Sequence, residues 1–240
     1  MEAIDLTELS AAQGGSKPLR GELAIPSGEG PWPGLVMIHE AYGLDEVMRD
    51  HAERLAGAGF LTLAVDLYSA GGAVRCLVAT MSALMKGQGR ALADINTARQ
   101  WLAASTRCTG KVGVIGFCMG GGFALLTANQ GFDASAPNYG QVPRRAQQAL
   151  AGACPIVASY GGRDRTLKGA AAKLEKALTE LGVVHDVKEY PTAGHGFLND
   201  AETGPRPLRP LLRVAGVGPD PEAAREAWPR IEAFLAEHLR

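Results

Sequence analysis

Apolar and polar positions along the chain follow two alternating patterns. Short apolar runs cover 34–39, 59–66 and 112–115, each reading as a buried strand, and 132–139, 155–160 and 183–190 read as further strands. A looser alternation over 19–26 reads as a first, peripheral strand. Between the runs, apolar residues recur every three or four positions, as on one face of a helix. The spacing predicts a helix over 45–58, with Val47, His51, Leu55 and Ala58 on one side, and another over 91–104, with Leu92, Ile95, Ala98 and Leu102. Two more follow at 167–181 and 222–239, the last with a stripe of Trp228, Ile231, Phe234 and Leu235. Apolar strands alternating with amphipathic helices predict βαβ units, and so an α/β fold with a mostly parallel central sheet and helices on both faces. Two stretches interrupt the alternation. Residues 71–89 read as a partly helical excursion, and 202–221, rich in proline and glycine, as a rim loop or lid. No repeat or low-complexity linker divides the chain, so one domain over 1–240 is expected.

Composition adds mainly exclusions. The 240 residues are 46% hydrophobic and 20% charged, enough for a substantial core, and the formal net charge is -1. That balance predicts no attraction to nucleic acid or to a membrane surface. The start, Met1 to Leu6, is acidic and lacks the basic-then-apolar order of a signal peptide, and no run reaches membrane-spanning length. Four cysteines, Cys76, Cys108, Cys118 and Cys154, are scattered without a C-x-x-C pair. They predict neither a zinc site nor a disulfide framework, and they suit a reducing cytoplasm. Neither G-x-G-x-x-G nor G-x-x-x-x-G-K-[ST] occurs, which removes nucleotide binding from the candidates.

The candidate chemistry begins at Gly116-Phe117-Cys118-Met119-Gly120, where an apolar strand stops and a helix pattern starts. This is a nucleophile elbow with cysteine in the serine position. So sharp a turn leaves no room for side chains beside the nucleophile, which fits Gly116 and Gly120. Cys118 then sits at a helix N-terminus, where backbone N–H groups favour a thiolate and can bind an oxyanion. A buried core cysteine would read the same way from this segment alone.

In open α/β sheets the ligand site lies beyond the carboxyl ends of the strands. The polar residues there are His39-Glu40, Asp66, Cys118, Tyr139, Asp164 and His195. A nucleophile needs a base, and the base an orienting carboxylate. Cys118, Asp164 and His195 stand in the order nucleophile, acid, histidine. His195 lies in the small-residue loop Thr192-Ala193-Gly194-His195-Gly196-Phe197, and Asp164 follows Tyr160-Gly161-Gly162-Arg163. Asp66 is the rival acid, but it precedes the nucleophile and is assigned a structural or rim role. Glu40, in His39-Glu40-Ala41-Tyr42-Gly43, would sit in the mouth of the site and could take the thiol proton or tune its pKa. The same loop supplies a candidate oxyanion donor, the N–H of Ala41, beside that of Met119.

Together these residues resemble the dienelactone hydrolase family, cysteine enzymes with the α/β-hydrolase fold. The resemblance rests on Gly116-Phe117-Cys118-Met119-Gly120-Gly121, Glu40, Gly162-Arg163-Asp164 and Ala193-Gly194-His195, in that family's arrangement, and runs from about Leu19 to the final helix. Val65-Asp66-Leu67-Tyr68 and Asn138-Tyr139-Gly140 add to it. It implies a hydrolase of a small lactone or activated ester, using a Cys-His-Asp triad and a covalent thioester, with no cofactor and no metal. It also implies that Glu40 holds the resting thiol. Tyr42, Arg75, Tyr139 and Phe197 are the expected pocket residues. One feature departs from the family. Members acting on dienelactones hold the substrate carboxylate with arginines, one of them shortly after the histidine. Here that stretch reads Phe197-Leu198-Asn199-Asp200, and the next arginine is Arg206. The substrate is therefore left open. The other reading is a non-catalytic thiol or ligand-binding protein on the same scaffold. A monomer suffices for the chemistry, with a homodimer left open.

Overall fold

The structure, a computed structural model, describes residues 1–204, 207 and 209–240. Its centre is an eight-stranded sheet in the order β1-β2-β4-β3-β5-β6-β7-β8. The strands are β1 (Glu2–Asp5), β2 (Arg20–Ala24), β3 (Trp32–Ile38), β4 (Leu61–Asp66), β5 (Cys108–Phe117), β6 (Ser135–Asn138), β7 (Ile156–Gly161) and β8 (His185–Tyr190). Only β2 runs antiparallel to its neighbours; β4, β3, β5, β6, β7 and β8 are parallel. All six parallel strands thus point their carboxyl ends to one edge, the edge that carries the polar residues picked out above.

Alternation along the strands divides the core. Leu35 and Met37 of β3 face helices α2 (Glu46–Gly57) and α9 (Pro221–Leu239). Val36 and Ile38 face α4 (Arg90–Ala103) and α5 (Met119–Thr127) on the other side. Farther along, α6 (Ala146–Leu150) and α7 (Ala170–Leu181) cover β7. Capping sets two helix starts. Asp45 accepts the Met48 N–H at 3.1 Å at the head of α2, and Asp220 accepts those of Glu222 and Ala223 at 3.2 and 3.1 Å, just before Pro221 opens α9.

The predicted strands and helices all form, and further elements are added. The peripheral strand at 19–26 is β2, but β1 pairs outside it and is the true edge. Helix α1 (Thr7–Ala12) follows β1, tied down where Ser10 Oγ and Ser16 Oγ donate to buried Asp94 at 2.7 and 2.6 Å. The excursion at 71–89 is one full helix, α3 (Gly72–Lys86). Its exposed Val74, Val78 and Met85 lie outside its buried face of Thr80, Ala83 and Leu84, so apolar residues on several sides blur the period. The stretch 202–221 contains α8 (Arg209–Val214). No helix among the described residues is long and apolar enough to cross a membrane.

Candidate active site

The turn after β5 carries Cys118 at φ 54°, ψ -114°, outside the favoured regions for an L side chain. The surrounding backbone is packed too tightly for anything but glycine. A Cβ on Gly116 would come within 2.0 Å of the Gly120 carbonyl oxygen, and one on Gly120 within 2.2 Å of that of Ile38. Cys118 is therefore held by close contact between β3, β5 and α5 and is partly exposed.

His195 projects from the loop after β8. Its Nδ1 donates to Asp164 Oδ2 at 2.6 Å. Asp164 follows β7 and also accepts the Thr166 N–H and hydroxyl, at 2.9 and 2.6 Å. The histidine loop is clamped from outside. The His195 N–H donates to the Gly216 carbonyl and the Gly218 N–H to that of His195, both at 2.8 Å. Part of the proline- and glycine-rich stretch thus fixes the backbone that carries the imidazole. Tyr139, at φ 39° after β6, packs edge-on against the imidazole with ring centroids 5.1 Å apart.

The charges follow from these contacts. Burial works against charge on His195, but its hydrogen bonds to Asp164 and Cys118 and their charges outweigh that and raise its pKa to about 10. Burial likewise works against ionisation of Asp164, but its bond to His195 prevails, and its pKa lies below the usual value. The pair is therefore carboxylate and imidazolium at neutral pH, with the Cys118 sulfur beside the same ring.

Glu40, 5% exposed, comes from the end of β3. Its backbone is pinned: the Glu40 carbonyl accepts from His39 Nδ1 at 2.6 Å and from the Gly43 N–H at 3.1 Å, and Tyr68 Oη donates to the Ala41 carbonyl at 3.0 Å. In a trans peptide the Ala41 N–H points opposite to the Glu40 carbonyl. Among the described residues, neither it nor the Met119 N–H has an acceptor. The Glu40 carboxyl accepts from Asn199 Nδ2 at 3.1 Å, and burial raises its pKa.

The remaining expected residues scatter. Tyr42 is 40% exposed at the mouth, where its hydroxyl senses the charges of Cys118 and Glu40. Phe197 does not line an opening: it is fully buried against Tyr139 and Tyr190, a wall behind the imidazole, because its loop turns back into the core. Arg75 is exposed on the first turn of α3, its side chain folded against Gly71. Arg206 lies outside the described residues. Asp66 accepts the Tyr68 N–H at 2.9 Å and stands 3.8 Å from His39, a structural place at the end of β4. No group of three or more His, Cys, Asp or Glu among the described residues could hold a metal ion.

Two residues were missed. His51 Nε2 lies 3.0 Å from Asn199 Oδ1, and both side chains are buried next to Glu40's hydrogen bond. The one signal was a histidine on the apolar side of a predicted helix.

A mostly parallel sheet with a strained turn at Cys118 after β5, Asp164 after β7 and His195 after β8 matches the α/β-hydrolase class. The family model described as "Dienelactone hydrolase family" matches residues 19–239, and the chain belongs to that family. It is a hydrolase acting on carboxylic ester bonds. Relatives named "Putative carboxymethylenebutenolidase" are similar to it. One from Methylorubrum extorquens is 26% identical, covering 90% of this chain and 75% of its own length. One from Saccharolobus solfataricus is 27% identical, covering 90% and 93%. Among solved structures, the dienelactone hydrolase-like promiscuous phosphotriesterase P91 from metagenomic libraries aligns with TM-score 0.81 at 24% identity, covering 100% of this chain and 98% of its own. The dienelactone hydrolase from Anabaena variabilis aligns with TM-score 0.65 at 23% identity, covering 100% and 98%. At these identities the structural likeness speaks for the fold.

Proposed function

We propose that the protein hydrolyses a small lactone or ester through a thioester on Cys118, with His195 and Asp164 completing the triad and no cofactor. The observation that carries this reading is the 2.6 Å bond from His195 to Asp164, with the charge of Cys118 acting on the same imidazole. Since Nδ1 is given to Asp164, Nε2 is the nitrogen left for sulfur. As the thiolate, with His195 protonated, Cys118 attacks the carbonyl carbon and forms the C–S bond. The Ala41 and Met119 N–H groups, free of other acceptors, receive the oxyanion. Collapse breaks the C–O bond, and the leaving oxygen takes the proton from His195. The now neutral imidazole takes a proton from water, whose oxygen attacks the thioester. That step releases the acid and returns Cys118 and His195 to their starting state. Glu40 tunes the thiol, and Tyr42 and Tyr139 flank it, while Arg75 at the head of α3 is a pocket residue only if that helix moves toward the thiol. Every group comes from one chain, so a monomer suffices, and four free cysteines fit a reducing, cytoplasmic setting.

The test compares wild type with Cys118→Ala and Cys118→Ser on p-nitrophenyl acetate and on a dienelactone. Loss of kcat/KM on the order of 10³-fold or more is expected for both. Equal, near-background rates for all three proteins would overturn the proposal in favour of a non-catalytic thiol protein.

A further inference from the structure

A second polar chain runs behind the thiol, separate from the triad. His51 from α2 donates through Nε2 to Asn199 Oδ1 at 3.0 Å, and Tyr139 Oη donates to the same oxygen at 3.4 Å. Two donors converging on one end of the amide fix its orientation, so Nδ2 must face Glu40, 3.1 Å away. His51 is fully buried, with Nδ1 unpartnered. Its ring is held against Phe117 at 4.8 Å and Trp228 at 5.0 Å between centroids. A ring with one unpaired nitrogen in an aromatic wall is neutral, which leaves its single proton on Nε2. The backbone under Asn199 is equally fixed. Its N–H donates to the Gly196 carbonyl at 3.1 Å, the Phe197 carbonyl accepts the Asp220 N–H at 3.1 Å, and Trp228 Nε1 donates to the Leu198 carbonyl at 3.4 Å. Burying a histidine and an asparagine among aromatic rings costs free energy unless the hydrogen bonds are complete. This chain ends on Glu40, which shares Tyr42, Tyr139 and His195 as neighbours with Cys118.

We propose that Asn199, locked in orientation by His51, is a positioning residue that holds Glu40 against Cys118 through one fixed hydrogen bond. The inference rests on the reading of Cys118 as the nucleophile and Glu40 as the acid that tunes it. Groups facing Glu40 from other elements are His195 from the loop after β8, Asp45 at the head of α2, Tyr139 after β6 and Thr203; Tyr42 and Cys118 complete the pocket. The Asn199 amide favours the ionised carboxylate, and an ionised carboxylate opposes thiolate formation. Removing the amide therefore keeps Glu40 neutral over a wider pH range and acts on the thiol as Glu40→Gln does.

The experiment measures the rate of Cys118 alkylation by iodoacetamide against pH, with peptide mass spectrometry separating Cys118 from the other three cysteines. The proteins are wild type, Glu40→Gln, Asn199→Leu and the double variant. Glu40→Gln and Asn199→Leu should both move the profile to lower pH, and the double variant should move it no further than Glu40→Gln alone. A folded Asn199→Leu with a wild-type profile, additive shifts, or a Glu40→Gln profile equal to wild type would each overturn the proposal. Should Asn199→Leu not fold, His51→Phe keeps the ring packing and removes the donor. A smaller shift in the same direction, absent in the Glu40→Gln background, is then expected, and no shift overturns the inference. Alkylation needs no turnover, so the ester assay on the Cys118 variants judges the nucleophile and this experiment judges Asn199.

Discussion

The site contains two buried acids, a part-buried histidine and a fully buried one, and the members of each kind are pushed in opposite directions. Asp164 and Glu40 are 4% and 5% exposed, so burial alone would raise both. Asp164 is bonded to an imidazole that becomes a cation, and its pKa falls. Glu40 is bonded to a neutral amide, and its pKa rises. The histidines mirror this. His195, against Asp164 and Cys118, is raised to about 10, while His51, whose one partner is the Asn199 amide, is lowered by burial. Burial disfavours charge on all four groups, and only a partner of opposite charge, as between His195 and Asp164, overcomes it. One arm of the site is therefore built to carry charge and the other to stay neutral. In the proposed mechanism, Cys118 meets a positive partner on one side and an acid of adjustable charge on the other.

The largest expected effects come from breaking the charged arm. His195→Gln removes the proton carrier, and kcat should fall on the order of 10³-fold, read by steady-state ester hydrolysis. Asp164→Asn keeps the shape but loses the charge. It should lower kcat on the order of 10²-fold or more, and the pKa of His195, followed by NMR, should drop.

Next comes conversion of the neutral arm into a charged one. Asn199→Asp gives His51 an acidic partner, so the His51 titration should move upward from below 6.5, visible in the same NMR spectra. An unmoved His51 would show that burial, and not the partner's charge, controls that ring.

The arms also predict a pH window. His195 has a folded pKa above its unfolded value of 6.5, so its contribution to stability is complete below about 6.5 and is lost as pH rises toward about 10. Asp164 is lowered in the folded state, so its contribution is present above its unfolded value of 3.8 and is lost as pH falls through the folded value. Thermal melts should therefore show the melting temperature declining from neutral pH toward pH 10. Activity should decline over the same alkaline range as His195 loses the proton needed by the leaving group, and His195→Gln should abolish that alkaline dependence of the melt.

The smallest effect is expected from His51→Phe. The ring packing survives and one hydrogen bond is lost, leaving the Asn199 oxygen with Tyr139 alone. A destabilisation of about 1 kcal/mol, measured by urea unfolding, is expected. Asn199→Leu strands both His51 Nε2 and Glu40 and should cost more, about 1–3 kcal/mol.

Much of this is legible in the sequence. The apolar runs gave β3, β4 and β5, because parallel strands buried on both faces are continuously apolar. The elbow was readable because its glycines answer a local steric demand, and Asp164 and His195 because chain order and glycine-bracketed loops mark them. Strand β1, with the burial pattern of a one-sided edge, and helix α3, with apolar residues on exposed and buried sides, lacked a clean period and were lost or blurred.

The sequence by itself determined the order of strands and helices, the tight turn at Cys118 and the identity of the three triad candidates. These depend on side-chain size, period and turn chemistry within a few residues. Only the tertiary structure decided which neighbours set the charges. His51 and Asn199 lie 148 residues apart, and Asn199 and Glu40 lie 159 apart. Their meeting depends on how α2 and the loop before α9 pack over the sheet. A pKa is set by the charge and distance of the atoms around a group, and the linear chain does not contain those distances.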